Sequence, residues 1–452
     1  MANLFFRAAL LPDGWAENVR ITMQSGKILR VAPGAAAEAG DEHHAAALPG
    51  LCNVHSHAFQ RGMAGLAETR GPEGDNFWTW REVMYRFLDQ LTPDDVEVIA
   101  ELAYIEMLET GFTRVGEFHY LHHDPAGAPY DDIAELAVRI AAASSQTGIA
   151  LTLLPVFYAH GNFGGAPPVP GQRRFLNNAD GFARLMEESR RAITHLDDAN
   201  IGVAPHSLRA VTPDELRGIV PLAKGGPVHI HAAEQTKEVD DCIAWSGARP
   251  VQWLLDHAGV DAHWCLIHAT HMDDGETEGL AKSGATAGLC PITEANLGDG
   301  VFPTPAYLAC GGHFGIGTDS NVLIDPAGEL RMLEYAQRLT TRARNVLAPC
   351  EGYSTGATLF DGALRGGARA LGQGGGGLCE GSAADIVSLN HTHPALAGRS
   401  GNALIDSWIF AMSGGAVDCV WRAGRKWVEN GRHTRRDDIE ARYRHSLARI
   451  LG

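Results

Sequence analysis

The fold of this chain is decided by one stretch, Leu48-Pro-Gly-Leu-Cys-Asn-Val-His55-Ser-His57-Ala-Phe-Gln60. An apolar run begins at Leu51 and ends in two histidines spaced i, i+2. Residues two apart in a strand point to the same face, so both imidazoles are expected to converge at the carboxyl end of a strand. Two convergent imidazoles can bind a metal ion, but a pair of histidines alone is a modest signal.

Composition limits the kinds of protein that this chain can be. Its 452 residues are 45% hydrophobic and 20% charged, as in an ordinary soluble globular protein with a large core and a smaller second domain. The formal net charge of −17 argues against nucleic acid and anionic membranes as partners, and an anionic substrate would need arginines placed in its pocket. No apolar run approaches the ~18 to 20 residues of a membrane span, and the first residues do not resemble a signal peptide.

The eight cysteines are scattered and include no Cys-x-x-Cys pair. Several lie within apolar runs, so we expect buried free thiols in a reducing, cytoplasmic environment.

Eight short apolar runs alternate with helix-like stretches in the middle of the chain. The runs are 51–57, 113–120, 150–158, 201–206, 227–231, 264–268, 286–291 and 313–319. Amphipathic segments lie between them at 93–110, 131–147, 179–199, 213–223 and 250–258. Alternating strands and helices indicate parallel βαβ units, and eight such units across residues 49–380 predict a closed (β/α)8 TIM-like barrel.

Both ends of the chain have a different, strand-rich texture. Residues 1–48 contain a predicted hairpin at Ser25-Gly26, and residues 381–452 contain another across 418–428 followed by a closing helix at 437–450. These two segments predict one small β-sandwich domain assembled from both termini. The glycine tract 372–377 is expected to be a connection and not a phosphate site, because no strand precedes it.

The carboxyl ends of the predicted strands carry many residues of metal-ligand type. In barrel enzymes the chemistry lies at these ends. The residues, in strand order, are His55 and His57, His119 and Tyr120, His206 and Arg209, His231 and Glu234, His268, and Asp319. Alternation does not separate His229 from His231, and we prefer His231 because it is nearer the barrel mouth. Of His268 and His271 we prefer His268, which directly ends the apolar run. Glu234 reaches the site only if the chain has turned after His231.

Longer motifs connect these strand ends to a known family. They include Pro49-Gly-Leu-Cys-Asn-Val-His-Ser-His, His231-Ala-Ala-Glu, Ile267-His-Ala-Thr, Gly317-Thr-Asp-Ser and Glu380-Gly-Ser-Ala-Ala-Asp-Ile-Val. With them, the chain resembles the amidohydrolase superfamily over nearly its whole length. A closer resemblance, to the deiminases of N-formimino-L-glutamate in histidine degradation, is carried by His57-Ala-Phe-Gln-Arg-Gly-Met, Phe77-Trp-Thr-Trp-Arg, Glu117-Phe-His-Tyr, His206-Ser-Leu-Arg and Thr293-Glu-Ala-Asn-Leu-Gly-Asp-Gly.

The resemblance implies a set of roles for the residues. One divalent ion, usually zinc, would be held by His55, His57, His231 and Asp319. The implied catalytic residues are Glu234, His268 and Asp319, and the implied substrate-binding residues are Gln60, Arg81, Tyr120, His206 and Arg209. Asn321 stands where the family suggests a histidine, which puts an accessory contact in doubt. No lysine ends strand four, which favours a single ion, and a homodimer would be usual for relatives.

The expected reaction is hydrolysis of a small dicarboxylate amidine. Zinc lowers the pKa of a bound water to about 7, and the resulting hydroxide would attack the formimino carbon. Glu234 would move a proton to the imino nitrogen, His268 would steady the tetrahedral centre, and Asp319 would pass a proton to ammonia. Three alternatives stay open: deamination of a guanine-, cytosine- or adenosine-like ring, expulsion of glutamate instead of ammonia, and a non-catalytic scaffold. The residues alone do not show which nitrogen leaves.

Overall fold

A computed structural model describes residues 2–71 and 74–452, and its strands form two separate sheets. The strands are β1 Ala2–Leu11, β2 Gly14–Gln24, β3 Lys27–Ala32, β4 Glu42–Pro49, β5 Leu51–Ser56, β6 Phe112–His119, β7 Ala150–Phe157, β8 Asn200–Ile201, β9 Ala204–Pro205, β10 Val228–Ala232, β11 Trp264–His268, β12 Thr286–Leu289, β13 His313–Ile316, β14 Ile386–Leu389, β15 Val417–Arg422, β16 Arg425–Glu429 and β17 Arg432–His433.

The helices surround the sheet that contains β5 to β13. They are α1 Phe77–Leu88, α2 Pro93–Thr110, α3 Glu135–Thr147, α4 Ala179–Ala192, α5 Pro213–Ile219, α6 Thr236–Ser246, α7 Pro250–His257, α8 Asp274–Ser283, α9 Pro291–Leu297, α10 Thr304–Ala309, α11 Pro326–Thr341, α12 Thr355–Ala370, α13 Asn402–Ala411 and α14 Arg436–Leu451. Short 3₁₀ turns lie at Ala58–Met63, Pro170–Gln172, Val220–Ala223 and Pro394–Leu396.

The barrel is a ring of parallel strands. Strands β10, β11, β12, β13, β5, β6, β7 and β8 are hydrogen-bonded in that order, and β9 pairs with β7. The ring closes because the amide of Val203 donates to the carbonyl of Pro227 and the amide of His231 donates to the carbonyl of His206. Every residue of β6 is buried, as expected for a parallel strand covered on both faces.

Local sequence signals explain where the helices begin and end. Helix α2 begins with a capping box between Thr92 and Asp95, has Pro93 in its first turn, and ends at Gly111, whose φ is 106°. Helix α12 packs directly on β13 and β5. Gly366 permits this approach, because a Cβ there would collide with the carbonyl of Phe314.

The two terminal segments form one sheet, in the order β17-β16-β15-β14-β4-β1-β2-β3. Strand β4 joins the halves, because it pairs with β1 on one side and with β14 on the other. The predicted hairpin turn falls at Ser25 and Gly26, both with positive φ (50° and 80°).

These observations confirm the predicted barrel with a β domain built from both termini. Strand four is less regular than expected: it is split into β8 and β9 around Gly202, where a Cβ would meet the carbonyl of Pro227. The helix expected over 179–199 ends at Ala192. The domain limits at 48/49 and 380/381 stay a prediction. Within the described residues, no helix is long and apolar enough to cross a membrane.

Candidate active site

Four side chains from three strand ends meet at one point in the barrel. His55 lies in β5 and His57 directly follows it. His231 lies in β10, and Asp319 comes three residues after the end of β13. The Nε2 atoms of His55 and His231 are 3.0 Å apart. Asp319 Oδ1 lies 3.3 Å from His57 Nε2 and 3.5 Å from His55 Nε2. We call these four residues the ligand cluster.

The ligand cluster fits a small divalent cation such as zinc. Its spacings resemble the edge of about 3.3 Å in a tetrahedron whose metal–ligand bonds are about 2.0 Å long. Burial lowers the pKa of His57 and His231, and that of His55 to about 3, so the imidazoles stay neutral and can act as ligands. Burial opposes ionisation of Asp319, but His55 and His57 hold the pKa of this carboxyl below its ordinary range.

Main-chain carbonyls orient two of the imidazoles. His57 Nδ1 lies 3.0 Å from the carbonyl oxygen of Phe118, and His231 Nδ1 lies 2.9 Å from that of His206. A carbonyl can only accept, so each Nδ1 carries the proton and each Nε2 presents a lone pair to the cluster. His229, the other candidate in this strand, instead places Nε2 2.8 Å from the carbonyl of Ala370.

Asn321 ties the aspartate of the cluster to the histidine segment. Its Nδ2 donates to the carbonyl of His57 and to Ser56 Oγ, each at 3.1 Å. Thr318 Oγ1 donates to Asn321 Oδ1 at 2.6 Å. Asp319 and Asn321 both have positive φ, 45° and 53°, a backbone strain that this bonding offsets. Asn321 therefore bridges the two segments at the position where a histidine was expected.

Glu234 reaches the cavity because the chain turns just before it. Strand β10 ends at Ala232, and Ala233 has a φ of 51°. Glu234 Oε1 then lies 3.7 Å from His268 Nε2, and Oε2 lies 3.9 Å from Arg209 Nη2. Burial raises the pKa of Glu234 to about 7, against the opposing effect of His268 and Arg209. A carboxyl with such a pKa can both take up and release a proton.

His268 stands among carboxylates on both edges of its ring. Its Nε2 is 3.7 Å from Glu234 and 3.8 Å from Asp319, and its Nδ1 is 3.2 Å from Glu294 Oε1. Burial alone would lower the pKa of His268, but these carboxylates raise it to about 10. His271 lies elsewhere, with Nε2 2.8 Å from the carbonyl of Asp299.

Glu294 is a residue of the site to which the sequence assigned no role. It lies in α9 and is held by the amide of Cys290, which donates to the same Oε1 at 2.9 Å. The signal that could have found it is its place three residues after a strand-ending Cys-Pro, within the quoted Thr293-Glu-Ala-Asn motif.

The ligand cluster opens into a cavity of about 550 Å³, counting its open mouth. All five expected substrate residues line it, as do the expected catalytic residues: Gln60, Arg81, Tyr120, His206, Arg209, Glu234, His268 and Asp319. Gln60 Nε2 donates to the Tyr120 hydroxyl at 2.7 Å, and that hydroxyl donates to Met84 Sδ at 3.2 Å. His119 does not line the cavity; its ring packs 5.3 Å from that of His122.

Further residues, most of them apolar or aromatic, complete the cavity, and the sequence assigned a role only to Arg81 among them. One group comes from α1, and we call it the α1 wall: Phe77, Trp80, Arg81, Met84 and Tyr85. The remaining members are Tyr158, Phe175 and Leu297. The members of the α1 wall recur at spacings of three and four residues, which shows that one face of α1 covers the cavity.

The cavity contains buried polar atoms without a protein partner. Among the described residues these are Gln60 Oε1, Arg81 Nε and Arg209 Nε. Arg209 is 5% exposed, and its nearest carboxylates, Glu234 and Glu238, stand at 3.9 and 3.8 Å. Buried donors of this kind are costly unless a ligand satisfies them, so the cavity is suited to an anionic guest.

Family models match almost all of the chain. Residues 46–427 match the model described as "Amidohydrolase family". Residues 1–45 match the model described as "Formimidoylglutamate deiminase HutF, N-terminal domain".

Two curated relatives illustrate the range of similarity. A formimidoylglutamate deiminase of Pseudomonas aeruginosa is 50% identical over 456 aligned residues, covering 100% of this chain and 99% of that protein. A 5-methylthioadenosine/S-adenosylhomocysteine deaminase of Natronomonas pharaonis is 28% identical, covering 90% of this chain and 87% of its own.

Solved structures share the fold. The crystal structure of an amidohydrolase from Brucella melitensis superposes with a TM-score of 0.97 at 56% identity, covering 100% of both chains. An adenosine deaminase from Xanthomonas campestris with bound zinc superposes with a TM-score of 0.83 at 23% identity, covering 100% of this chain and 98% of that one, which shows a shared fold.

Proposed function

The chain belongs to the amidohydrolase family, and from this premise we propose that it hydrolyses N-formimino-L-glutamate to N-formyl-L-glutamate and ammonia. It is a hydrolytic enzyme that acts on the C–N bond of an amidine. Within histidine degradation, this reaction removes the imino nitrogen and keeps the formyl group on glutamate.

One observation carries the proposal: a single cavity joins the ligand cluster to two arginines with unpaired buried donors. The cluster is of the kind that activates water, and the guanidinium groups are of the kind that bind carboxylates through paired hydrogen bonds. N-formimino-L-glutamate combines an electrophilic amidine carbon with two carboxylates. Its chemistry therefore matches both parts of the cavity.

We propose one Zn²⁺ as the cofactor, held by His55, His57, His231 and Asp319. When bound, such an ion supplies Lewis acidity that lowers the pKa of water to about 7. The neutral state of the three buried imidazoles and the convergence of their Nε2 atoms support this choice.

Glu234 is proposed as the group that moves the first proton. Its carboxylate takes a proton from the attacking water and gives it to the imino nitrogen, so that a C–O bond forms while the C=N bond becomes single. The pKa of about 7 that burial gives Glu234 suits both transfers. Its proximity to Arg209 Nη2, at 3.9 Å, places it beside the proposed carboxylate anchor.

His268 and Asp319 are proposed to complete the reaction. His268 donates a hydrogen bond from Nε2 to the tetrahedral centre, while Glu294 holds the opposite edge of the ring at Nδ1. Asp319 relays the proton of the new hydroxyl to the departing nitrogen. The C–N bond then breaks, ammonia leaves, and the C=O bond of the formyl group forms.

The substrate carboxylates are proposed to bind Arg209 and Arg81. Gln60, Tyr120 and His206 line the same cavity and offer hydrogen bonds to the rest of the substrate. A nucleobase-like ring, the substrate type of the relatives at 28% identity, lacks two carboxylates and would leave these guanidinium groups unpaired. The arrangement therefore favours a linear diacid over a heterocycle.

Incubation of the purified protein with N-formimino-L-glutamate tests the proposal. We expect ammonia and N-formyl-L-glutamate in equal amounts, with about one zinc per chain by mass spectrometry. Guanine, cytosine and adenosine, run in parallel, should release no comparable ammonia. Formamide with free glutamate would mean that the other nitrogen leaves, and no turnover of any substrate would contradict the proposal.

Two wider properties are also proposed. A cytoplasmic location is supported by the free state of all eight cysteines. A homodimer is supported by an exposed apolar face of α11, where Met332, Tyr335 and Leu339 are 37%, 38% and 81% exposed. Light scattering of the purified protein measures its mass; a monomer at micromolar concentration would contradict the dimer.

A further inference from the structure

Trp78 contacts both cavity arginines, although it does not itself line the cavity. It lies half-buried in α1, one turn before Arg81. The Arg81 Cζ atom stands 4.7 Å from the centroid of the Trp78 ring, and the Arg209 Cζ atom stands 6.0 Å from the same centroid. Two guanidinium groups that lie far apart in the sequence thus share one indole.

Both guanidinium groups lie over aromatic rings. Tyr85, one turn further along α1, contacts Arg81 as well, with its ring centroid 5.6 Å from Cζ. A cation held over an aromatic ring uses no N–H donor for that contact. This agrees with the unpaired Nε atoms of Arg81 and Arg209 in the described structure.

Two buried carboxylates and the Trp78 ring all lie close to Arg209. Glu234 and Glu238 stand 3.9 and 3.8 Å from its nitrogens, which is beyond hydrogen-bond distance. In a buried setting, a free guanidinium is drawn strongly to such carboxylates. Arg209 stands over the Trp78 ring with neither carboxylate within hydrogen-bond distance, so its donors are available to a ligand.

We propose that Trp78 is a positioning residue that fixes the spacing of the two guanidinium groups and thereby selects a dicarboxylate of glutamate length. The proposal rests on the proposed function and deepens it. Trp78 acts through Arg81 and Arg209 and touches no reacting atom. A ligand with one carboxylate needs only one of the two arginines, so it depends less on their spacing.

The first experiment compares Trp78→Leu with Trp78→Phe and the unchanged enzyme. Leucine removes the aromatic face, whereas phenylalanine keeps one. For N-formimino-L-glutamate we expect kcat/KM of Trp78→Leu to fall about tenfold, mainly through KM, on the scale of a desolvated cation–π contact. For N-formiminoglycine, a monocarboxylate, the loss should be about twofold. Trp78→Phe should recover most of the preference for the diacid.

Glu82→Ala is the matched control. Glu82 is exposed on the same turn of α1, so its loss perturbs the helix without touching either arginine, and both substrates should keep their kinetic constants. An equal loss for the diacid and the monoacid in Trp78→Leu would mean that Trp78 only supports the helix. That result would overturn the proposal.

Calorimetric binding of glutarate and butyrate separates this inference from the proposed function, because it needs no turnover. We expect Trp78→Leu to lower the glutarate affinity about tenfold while changing that of butyrate little. An unchanged glutarate-to-butyrate ratio refutes the role of Trp78 even if the enzyme is active. Absence of turnover in the unchanged enzyme refutes the proposed function, whatever the binding shows.

Discussion

The ligand cluster and the α1 wall face the same cavity but are built in different ways. The cluster stands at the ends of barrel strands, its residues are at most 6% exposed, and main-chain carbonyls hold two of its three rings. The α1 wall stands on one helix in the long segment after β5, and its arginine is half-buried and held by aromatic rings. Strands in a closed barrel cannot move singly, whereas a helix in an insertion can be exchanged.

This difference assigns the two halves of the proposed function to different parts of the fold. In the proposal, the cluster with Glu234 and His268 provides hydrolysis of a C–N bond. The α1 wall with Arg209 is proposed to provide the preference for a diacid. Deaminase relatives at 26 to 29% identity align with most of this chain. This agrees with a shared barrel in which the residues that line the substrate cavity differ between proteins.

Removing a ligand of the cluster should have the largest effect. Asp319→Ala deletes the only carboxylate of the cluster and leaves three imidazoles that favour the neutral state. We expect bound zinc to fall far below one per chain and ammonia release to become undetectable. Metal analysis and the ammonia assay measure this, with circular dichroism as the control for folding; a full zinc content would exclude Asp319 as a ligand.

Changing the proposed proton carrier should separate chemistry from metal binding. Glu234→Gln keeps the size of the side chain but cannot accept the proton from water. Turnover should fall about 10²- to 10⁴-fold while the zinc content stays unchanged. Full activity in this variant would remove Glu234 from the mechanism, and loss of zinc would place it among the ligands.

Arginine variants test whether substrate binding by Arg81 and Arg209 is independent of the chemistry at the ligand cluster. Arg209→Met and Arg81→Met should raise KM by about 10- to 150-fold, the range for hydrogen bonds to charged groups, with smaller effects on kcat. Arg209→Met should be the more severe, because Arg209 is 5% exposed and Arg81 is half-buried. A large fall in kcat at unchanged KM would show that the substituted arginine takes part in the chemical step.

A buried acid beside the cluster should affect the reaction least and act on the pH dependence of stability instead. Glu117 accepts from the amide of Ala58 at 2.7 Å, next to His57, and burial raises its pKa to about 8. The folded state therefore keeps this proton between pH 4.5, the ordinary value, and about 8, while the unfolded state loses it. Its stabilising contribution is complete below pH 4.5 and is lost as the pH rises through that window.

Glu117→Gln removes this titration and can still accept the Ala58 hydrogen bond. Between pH 5 and 8 the slope of unfolding free energy against pH should become less negative by up to about 1.4 kcal/mol per pH unit. Denaturant unfolding at several pH values measures the slope. Identical slopes in the variant and the unchanged protein would show that Glu117 ionises normally.

Much of the site could be predicted, because many of its residues lie at the carboxyl ends of the barrel strands. The apolar runs predicted each barrel strand to within a few residues, and the polar residue ending a run lies at the barrel mouth in β5, β10 and β11. Strand four was harder, since Gly202 splits it. The choice of His231 over His229 agrees with the contacts, although strand alternation could not make it. His119 ends a strand too, yet lies away from the cavity.

The sequence by itself determined the barrel, the terminal β domain and the identity of the residues at the strand ends. These follow from periodicity, because the alternation of side chains along a strand is a local property. Only the tertiary structure decided that Glu294 meets His268, that Asn321 joins the two ligand segments, and that Arg209 approaches the Trp78 ring. These pairs are distant along the chain, and no local pattern records a contact that arises only when separate loops pack together.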